Sequence, residues 1–333
     1  MRRILPTISE ETERIEREIL SPHAQLASAG KGRERPEEPD PLRTCYQRDR
    51  DRIVHSKAFR RLKHKTQVFF SPQGDHYRVR LTHTLEVTQV ARTIARALRL
   101  NEDLTEAIGL GHDLGHTPFG HIGEGVLSRL LGRPFKHSEQ SLRIVDLLED
   151  GGRGLNLTWE VRDGIKAHTW SQPEPSTLEA TCVRFADRIA YLNHDVDDAI
   201  RDGIITIDDV PDGVLDVLGQ THSDRINTLV TSVVEASHGK PEVRMTEAAA
   251  AAMQTLRDFL FERVYVIPET AEQRARYEGI VEDLFRYYLE HQDEISDEYH
   301  AVEADPFTRA ADFVAGMTDR YALTRHAEIG GAE

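Results

Sequence analysis

The sequence predicts an all-α fold, on three observations. Apolar residues recur at helical spacing through most of the chain, strand-like alternation is nearly absent, and Gly- and Pro-rich breaks separate the periodic stretches. At 333 residues the chain can bury a full core as one large domain or two ordinary ones.

Residues 9–20 open with Ser9 and early acids, as a capped helix does. Residues 28–42 are rich in Gly, Pro and charge and read as a mobile arm. The expected organisation is therefore an N-terminal helix and arm over 1–42, a helical body over 43–325 and a tail over 326–333. In the body, Leu85, Val90, Ile94, Ala95 and Leu98 mark a helix over 84–98, and Leu104 to Leu110 begin a short apolar one. Helices follow at 138–149, with Ser138 as cap and Glu139 in support, and at 158–169. Residues 178–200 form a long amphipathic helix or two abutting ones. Ile226, Leu229, Val230, Val233 and Val234 make a stripe behind a Ser223 cap. An Ala-rich helix covers 245–264, and 274–292 and 306–324 supply two more. Strand-like alternation is confined to 67–71 and 264–267, and no internal repeat is found.

Composition narrows the class. Apolar residues make up 39 % and charged residues 30 %, as in a globular protein with a helical bias. No run approaches the roughly 18 apolar residues of a membrane helix, and charge interrupts the apolar core that a signal peptide needs. Cys45 and Cys182 cannot build a disulfide framework, so a cytoplasmic setting is expected. The net charge of −15 argues against a general nucleic-acid binder. From Arg43 to Arg80, however, eight Arg and three Lys stand against three Asp, which suggests a local anionic partner or a face laced with ion pairs. Ten of the 16 histidines (His55, His64, His76, His83, His112, His116, His121, His137, His168 and His194) fall between residues 55 and 194. Metal or acid–base chemistry explains such clustering.

Three segments carry that chemistry. In GHDLGHTPFGHIGE (111–124), Gly and Pro break the helix, so His112 and Asp113 sit at a helix end where adjacent side chains can converge. His121 and Glu124 are three apart on one face of the next helix, where a carboxylate can orient an imidazole for proton transfer. In ADRIAYLNHDVDDA (186–199), Asp187, Tyr191, His194 and Asp198 form a polar stripe where apolar residues are expected. In RVRLTHTLE (78–86), His83 opens an amphipathic helix with Arg80 just ahead. Singly these residues prove little, because isolated histidines such as His55 and His168 are more often packing residues. Together they supply mixed His and Asp ligands, which suit Mn, Fe, Co, Ni or Zn better than Ca or Mg alone. Arg and Lys nearby can clamp phosphates.

His83, His112–Asp113 and Asp187 resemble the H…HD…D signature of the HD-domain metal-dependent phosphohydrolases. RTCYQRDRDRIVHSKAFRRLKHKTQVF (43–69), GDHYRVRLTHTLEV (74–87), HDLGHTPFGHIGE (112–124), HSEQSLRIV (137–145), LNLTWEVRDGI (155–165) and DFVAGMTDRYA (312–322) resemble the bacterial deoxyguanosinetriphosphate triphosphohydrolase-like proteins, in order over 10–325. The resemblance implies an α-helical HD fold with additional C-terminal helices, and hydrolysis of a dNTP to deoxynucleoside and inorganic triphosphate. It implies that His83, His112, Asp113 and Asp187 hold a divalent ion (Mg, Mn, Co, Ni, Fe or Zn), and that His121 and Glu124 are the catalytic pair. It places His116 by the phosphates, Arg80 near the nucleotide, Gln67 by the sugar where it excludes a 2′-hydroxyl, and Tyr191 by sugar and phosphates. It makes His137 a further candidate for substrate contact, in a motif that the family often writes with Asn next, where this chain has Ser138. Arg188 is added as a triphosphate contact for its place beside a ligand. The resemblance further implies a homo-oligomer, tetramer or hexamer, with an allosteric dNTP between subunits in some members. Two other readings stand beside it: an HD phosphodiesterase or nucleotidase acting on other nucleotides, and a nucleic-acid-binding protein with minor catalysis that holds single strands weakly through the basic segment, where Tyr46, Phe59, Phe69, Phe70 and Tyr77 are the aromatic partners.

Overall fold

A computed structural model describes residues 6–67, 78–265 and 271–330. The described backbone is helical, and its only extended pairings are isolated bridges between Arg33 and Thr158 and between Thr66 and Val79. The N-terminal part comprises α1 (Ile8–Ile19), α2 (Cys45–His55), α3 (Lys57–Arg61), α4 (Arg80–Ala97) and α5 (Glu102–Gly111). The middle contains α6 (His121–Leu131), α7 (His137–Arg143), the one-turn α8 (Glu149–Gly152), α9 (Trp159–Ala167) and α10 (Leu178–Arg201). The remainder is α11 (Asp212–Leu218), α12 (His222–Ser237), α13 (Glu247–Arg263), α14 (Ala271–Glu290), the one-turn α15 (Asp297–His300), α16 (Pro306–Ala315) and α17 (Asp319–Glu328). Among the described residues, no helix is long and apolar enough to cross a membrane.

Helix existence follows the periodicity, while helix starts follow the hydrogen bonds. α1 is capped by Thr7, not Ser9: the Thr7 hydroxyl accepts the Glu10 N–H at 3.2 Å and the Glu10 carboxylate accepts the Thr7 N–H at 2.7 Å. Ser9 has Thr12 three residues on and cannot close that box. Thr221 likewise displaces Ser223 as the cap of α12, because Asp224 closes its box. Ser138 lies inside α7, whose first N–H, that of His137, is accepted by the Glu124 carboxylate at 2.9 Å. Residues 178–201 form one helix, whereas 306–324 divides at Gly316 and restarts at a Thr318 cap. Neither Gln67 nor Val264–Tyr265 is in a strand, and the rest of those two alternating stretches lies outside the described residues, as do His76, Phe69, Phe70 and Tyr77.

The segment expected to be a mobile arm is tied to the body. Arg33 pairs with buried Asp49 and donates to the Asn156 carbonyl at 2.6 Å. Asn156 donates to the Arg35 carbonyl at 2.8 Å, and Glu37 pairs with Arg48 and Arg52 at 2.6 and 2.5 Å.

Two apolar cores result. The larger joins α2, α4, α5, α9, α10, α12 and α13 through residues such as Ile53, Val87, Ile108, Ile165, Ile189, Leu229 and Leu256. The smaller sets Val126 and Leu127 of α6 against Ile280, Leu284, Phe285 and Val314. Leu114 belongs to the first and Phe119 to the second, so the turn 112–120 bridges them. α7 lies directly on this turn: a Cβ at Gly115 would stand 2.2 Å from the Ser141 nitrogen. At its end, Phe119 and Gly120 take positive φ values of 59° and 57°.

Candidate metal centre and active site

The site forms where α4, the end of α5, the turn after it and α10 meet. His83 lies in the first turn of α4, His112 closes α5, Asp113 follows it, and Asp187 comes from α10. His112 Nδ1 is 2.6 Å from the Gly109 carbonyl, which can only accept, so Nδ1 carries the proton and Nε2 presents a bare lone pair. That Nε2 is 3.5 Å from Asp113 Oδ1 and 4.0 Å from Asp187 Oδ1, while His83 Nε2 is 3.2 Å from the same Asp187 oxygen. Ligand atoms of His83, His112 and Asp113 lie within 4.8 Å of one another.

The donor set fits a divalent ion. His112 Nε2 and His83 Nδ1 are buried with no hydrogen-bond partner among the described residues. Such orphans cost about 1–3 kcal/mol each unless a ligand meets them. Burial alone would raise both acids, but the adjoining His116 and His112 rings and the Arg80 guanidinium hold the Asp113 carboxyl well below the usual range. At Asp187, the hydrogen bond from His83 and the adjoining His112 ring do the same. Both stay as carboxylates, the form that ligates.

Beside this centre stands a histidine layer. His116 Nε2 is 3.0 Å from Asp113 Oδ1, and its ring stacks on His137 at 3.8 Å. Burial, reinforced by the Arg80 charge, pushes His116 well below its usual value and keeps it neutral. Glu124 joins two rings, with its carboxylate oxygens 2.6 Å from His137 Nδ1 and 3.0 Å from His121 Nδ1. Burial would raise the Glu124 carboxyl, yet His137 and His121 outweigh it and hold it far down. His121 itself is 79 % exposed, open to an incoming molecule.

Arg80 donates to Asp113 Oδ2 at 3.0 Å, with both side chains buried, and reaches the Gln67 carbonyl at 3.4 Å. The Gln67 side-chain oxygen is buried without a partner among the described residues. Tyr191 follows Asp187 by one turn of α10, and Arg188 stands between them with its guanidinium over Trp170. In the remainder of the α10 stripe, His194, which burial pushes down to about 2 and keeps neutral, lies 3.3 Å from Glu86, and Asp198 pairs with Arg78 at 3.0 Å and Arg201 at 2.6 Å.

Several participants carry no sequence signal of their own. His168, at the end of α9, donates from Nδ1 to the Ile165 carbonyl at 2.7 Å and places Nε2 3.2 Å from His137 Nε2. Burial, with the adjoining His112 ring, pushes it down to about 3. A histidine closing a helix ahead of a polar turn, as His112 does, is the pattern that could have found it. Buried Lys65 donates to the His116 and Ala315 carbonyls, and burial pushes it down to about 7. Asp195 accepts from the Tyr265 hydroxyl, and burial lifts it to about 7. The DFVAGMTDRYA stretch acts as a buttress: Asp319 takes the Thr66 and Phe119 N–H groups at 2.7 and 3.0 Å, and Asp312 holds Arg143 at 2.7 Å. The basic segment is largely neutralised on the spot, with Arg43 on Asp40 and Asp51, Arg50 on Glu106, and Lys57 and Arg61 on Glu298. His55 and His64 are exposed and stand apart from the site.

A helical body that gathers a histidine, an HD pair and a distant aspartate defines the HD-domain hydrolases. The family model for the HD domain matches residues 80–192, and that for the phosphohydrolase-associated domain matches 243–328. The chain is 54 % identical over 325 residues to a deoxyguanosinetriphosphate triphosphohydrolase-like protein of Caldanaerobacter subterraneus, covering 97 % of this chain and 95 % of that one. It is 51 % identical to a protein of the same description from Desulfatibacillum aliphaticivorans, over 97 % of this chain and 98 % of that one. A phosphohydrolase from Bacteroides thetaiotaomicron shares the fold, with a TM-score of 0.54 at 16 % identity over 82 % of this chain and 66 % of that one. The chain belongs to the deoxyguanosinetriphosphate triphosphohydrolase-like family of HD-domain hydrolases.

Proposed function

We propose that the chain hydrolyses deoxynucleoside triphosphates to deoxynucleoside and inorganic triphosphate at this centre. The observation that carries the reading is the convergence of His83, His112, Asp113 and Asp187, with the orphaned Nε2 of His112, beside the His121–Glu124–His137 chain. The names of the relatives support the same reading.

A divalent ion held by the two histidines and two aspartates would polarise a phosphoryl oxygen and acidify a water. In the reaction, a water oxygen bonds to the α-phosphorus and the bond to the 5′-oxygen breaks, so that oxygen requires a proton. Glu124 occupies His121 Nδ1, which leaves Nε2 of this exposed ring as the atom that delivers it. His137, held by the other oxygen of Glu124, fixes the carboxylate. Neutral His116 stands by the phosphates, Arg80 keeps Asp113 ionised, Gln67 closes the sugar side against a 2′-hydroxyl, and Arg188 and Tyr191 face the triphosphate. The same reading carries a cytoplasmic homo-oligomer, tetramer or hexamer, with an allosteric dNTP between subunits, and a catalytic body over 43–325.

Product analysis tests it. The purified protein is incubated with each dNTP, singly and in mixtures, with Mg, Mn and Co supplied separately. Deoxynucleoside plus intact triphosphate is the expected product pair. Cleavage of monophosphates or cyclic nucleotides instead, with dNTPs untouched, overturns the reading in favour of an HD phosphodiesterase or nucleotidase.

A further inference from the structure

Trp170 lies outside the motifs considered so far, in the turn between α9 and α10, and is 42 % exposed. Two guanidinium groups rest on its ring: Arg188 at 4.2 Å and Arg184 at 4.7 Å from the centroid. They are four apart on α10 and so share one face of the helix. The ring is set edge-on against Phe185 at 5.2 Å. Arg184 donates to the carbonyls of Gln172 and Pro173 at 3.0 and 3.3 Å, which ties the Trp170 turn to the helix. Arg188 has a buried Nε without a partner and makes no ion pair among the described residues. Its side chain also meets that of Tyr191.

Two like charges one turn apart repel, and the carboxylates of Glu174 and Asp187 offset them only from beyond ion-pair distance. An aromatic face attracts a guanidinium through its quadrupole without neutralising the charge. Arg188 is thus held in place beside Asp187 and Tyr191 while keeping its full charge for an anion. We infer that Trp170 is a positioning residue: its indole holds Arg188, braced by Arg184, to receive the distal phosphates of a triphosphate. This inference rests on the proposed reading that the site accepts a triphosphate.

Two measurements on the full-length, metal-loaded protein test it. In steady-state turnover of a dNTP, Trp170→Leu is expected to raise KM roughly three- to ten-fold with kcat within about two-fold, and Trp170→Phe to restore most of the loss. An unchanged KM, or a loss confined to kcat, overturns the inference. The second measurement stands even if Trp170→Leu fails to fold. With only two tryptophans in the chain, Trp159→Phe leaves Trp170 as the sole indole. Inorganic triphosphate is then expected to change its fluorescence saturably, and Arg188→Ala to abolish that change. No saturable change, or one that persists in Arg188→Ala, overturns the inference. If the wild type cleaves no dNTP, the proposed function fails, while the triphosphate titration still decides the role of Trp170.

Discussion

In the seam where residues 25–37 meet α2, α9 and α10, burial lifts the carboxyls of Glu16 and Glu179, the latter to about 7. In the candidate metal centre and the histidine layer beside it, Asp113, Asp187 and Glu124 are held below their usual range although burial alone would lift them too. The difference lies in what faces each acid. Glu179 accepts the Gln25 and Asn101 N–H groups at 2.9 Å each, and Glu16 accepts that of Ala27 at 2.8 Å, all neutral donors. The centre instead surrounds its acids with Arg80, His83, His112, His116 and His137. A buried carboxyl served by neutral donors can keep its proton and act as a structural clasp. One faced by a guanidinium and a ring of imidazoles stays charged and can hold a metal or steady a proton-transfer ring.

The largest expected effect breaks the centre outright. His112→Ala removes a ligand nitrogen and is expected to lower turnover on the order of a thousand-fold or more, with loss of bound metal by elemental analysis. Retention of both metal and turnover would place this cluster in the same class as the seam. Next, His121→Ala is expected to lower kcat by roughly 10²–10⁴ with metal content unchanged. Full turnover in that variant sinks the general-acid assignment.

Breaking the seam reads out differently. Arg33→Ala strips Asp49 of its cation and leaves only the two bonds from Thr158, at 2.8 and 2.7 Å. A loss of about 3–5 kcal/mol in urea unfolding is expected, with kcat of the folded protein intact. A fall in kcat at unchanged stability would show that seam and centre are not separate. The smallest effect is a pH dependence. An unfolded glutamate loses its proton near 4.5, whereas folded Glu179 keeps its own to about 7. Its contribution is therefore fully present below pH 4.5 and is lost as pH rises through 7. Glu179→Gln, whose amide oxygen can accept the same two N–H groups, should flatten melting temperature against pH across that window. An unaltered profile would mean that Glu179 is already ionised in the fold.

Much of the site was legible because helical geometry converts spacing into proximity. His121 and Glu124 meet because three residues are just under one turn, and the Asp187–Tyr191 pair shares a face of α10 for the same reason. The Gly-rich break after Leu110 announced that His112 and Asp113 sit at a helix end. The anchoring of residues 28–42 was not legible, since Asn156 and Arg35 are 121 positions apart and no local pattern links them. The caps at Thr7 and Thr221 were missed because serines nearer the apolar stripe looked equally suitable until the box partners decided. α7 begins where it does because Glu124, on another helix, receives its first N–H.

By itself, then, the sequence determined an all-α chain, the order of its helices and the residue types that converge on the site, because each follows from a fixed period of 3.6 residues per turn. Only the tertiary structure decided that the N-terminal segment is clasped to the body, that His168 and Lys65 meet the histidine layer and Arg188 rests on Trp170, and that the basic segment is spent on internal ion pairs. Those outcomes depend on which distant groups meet, and burial and charge at such meetings, unlike helical period, are set by the whole fold.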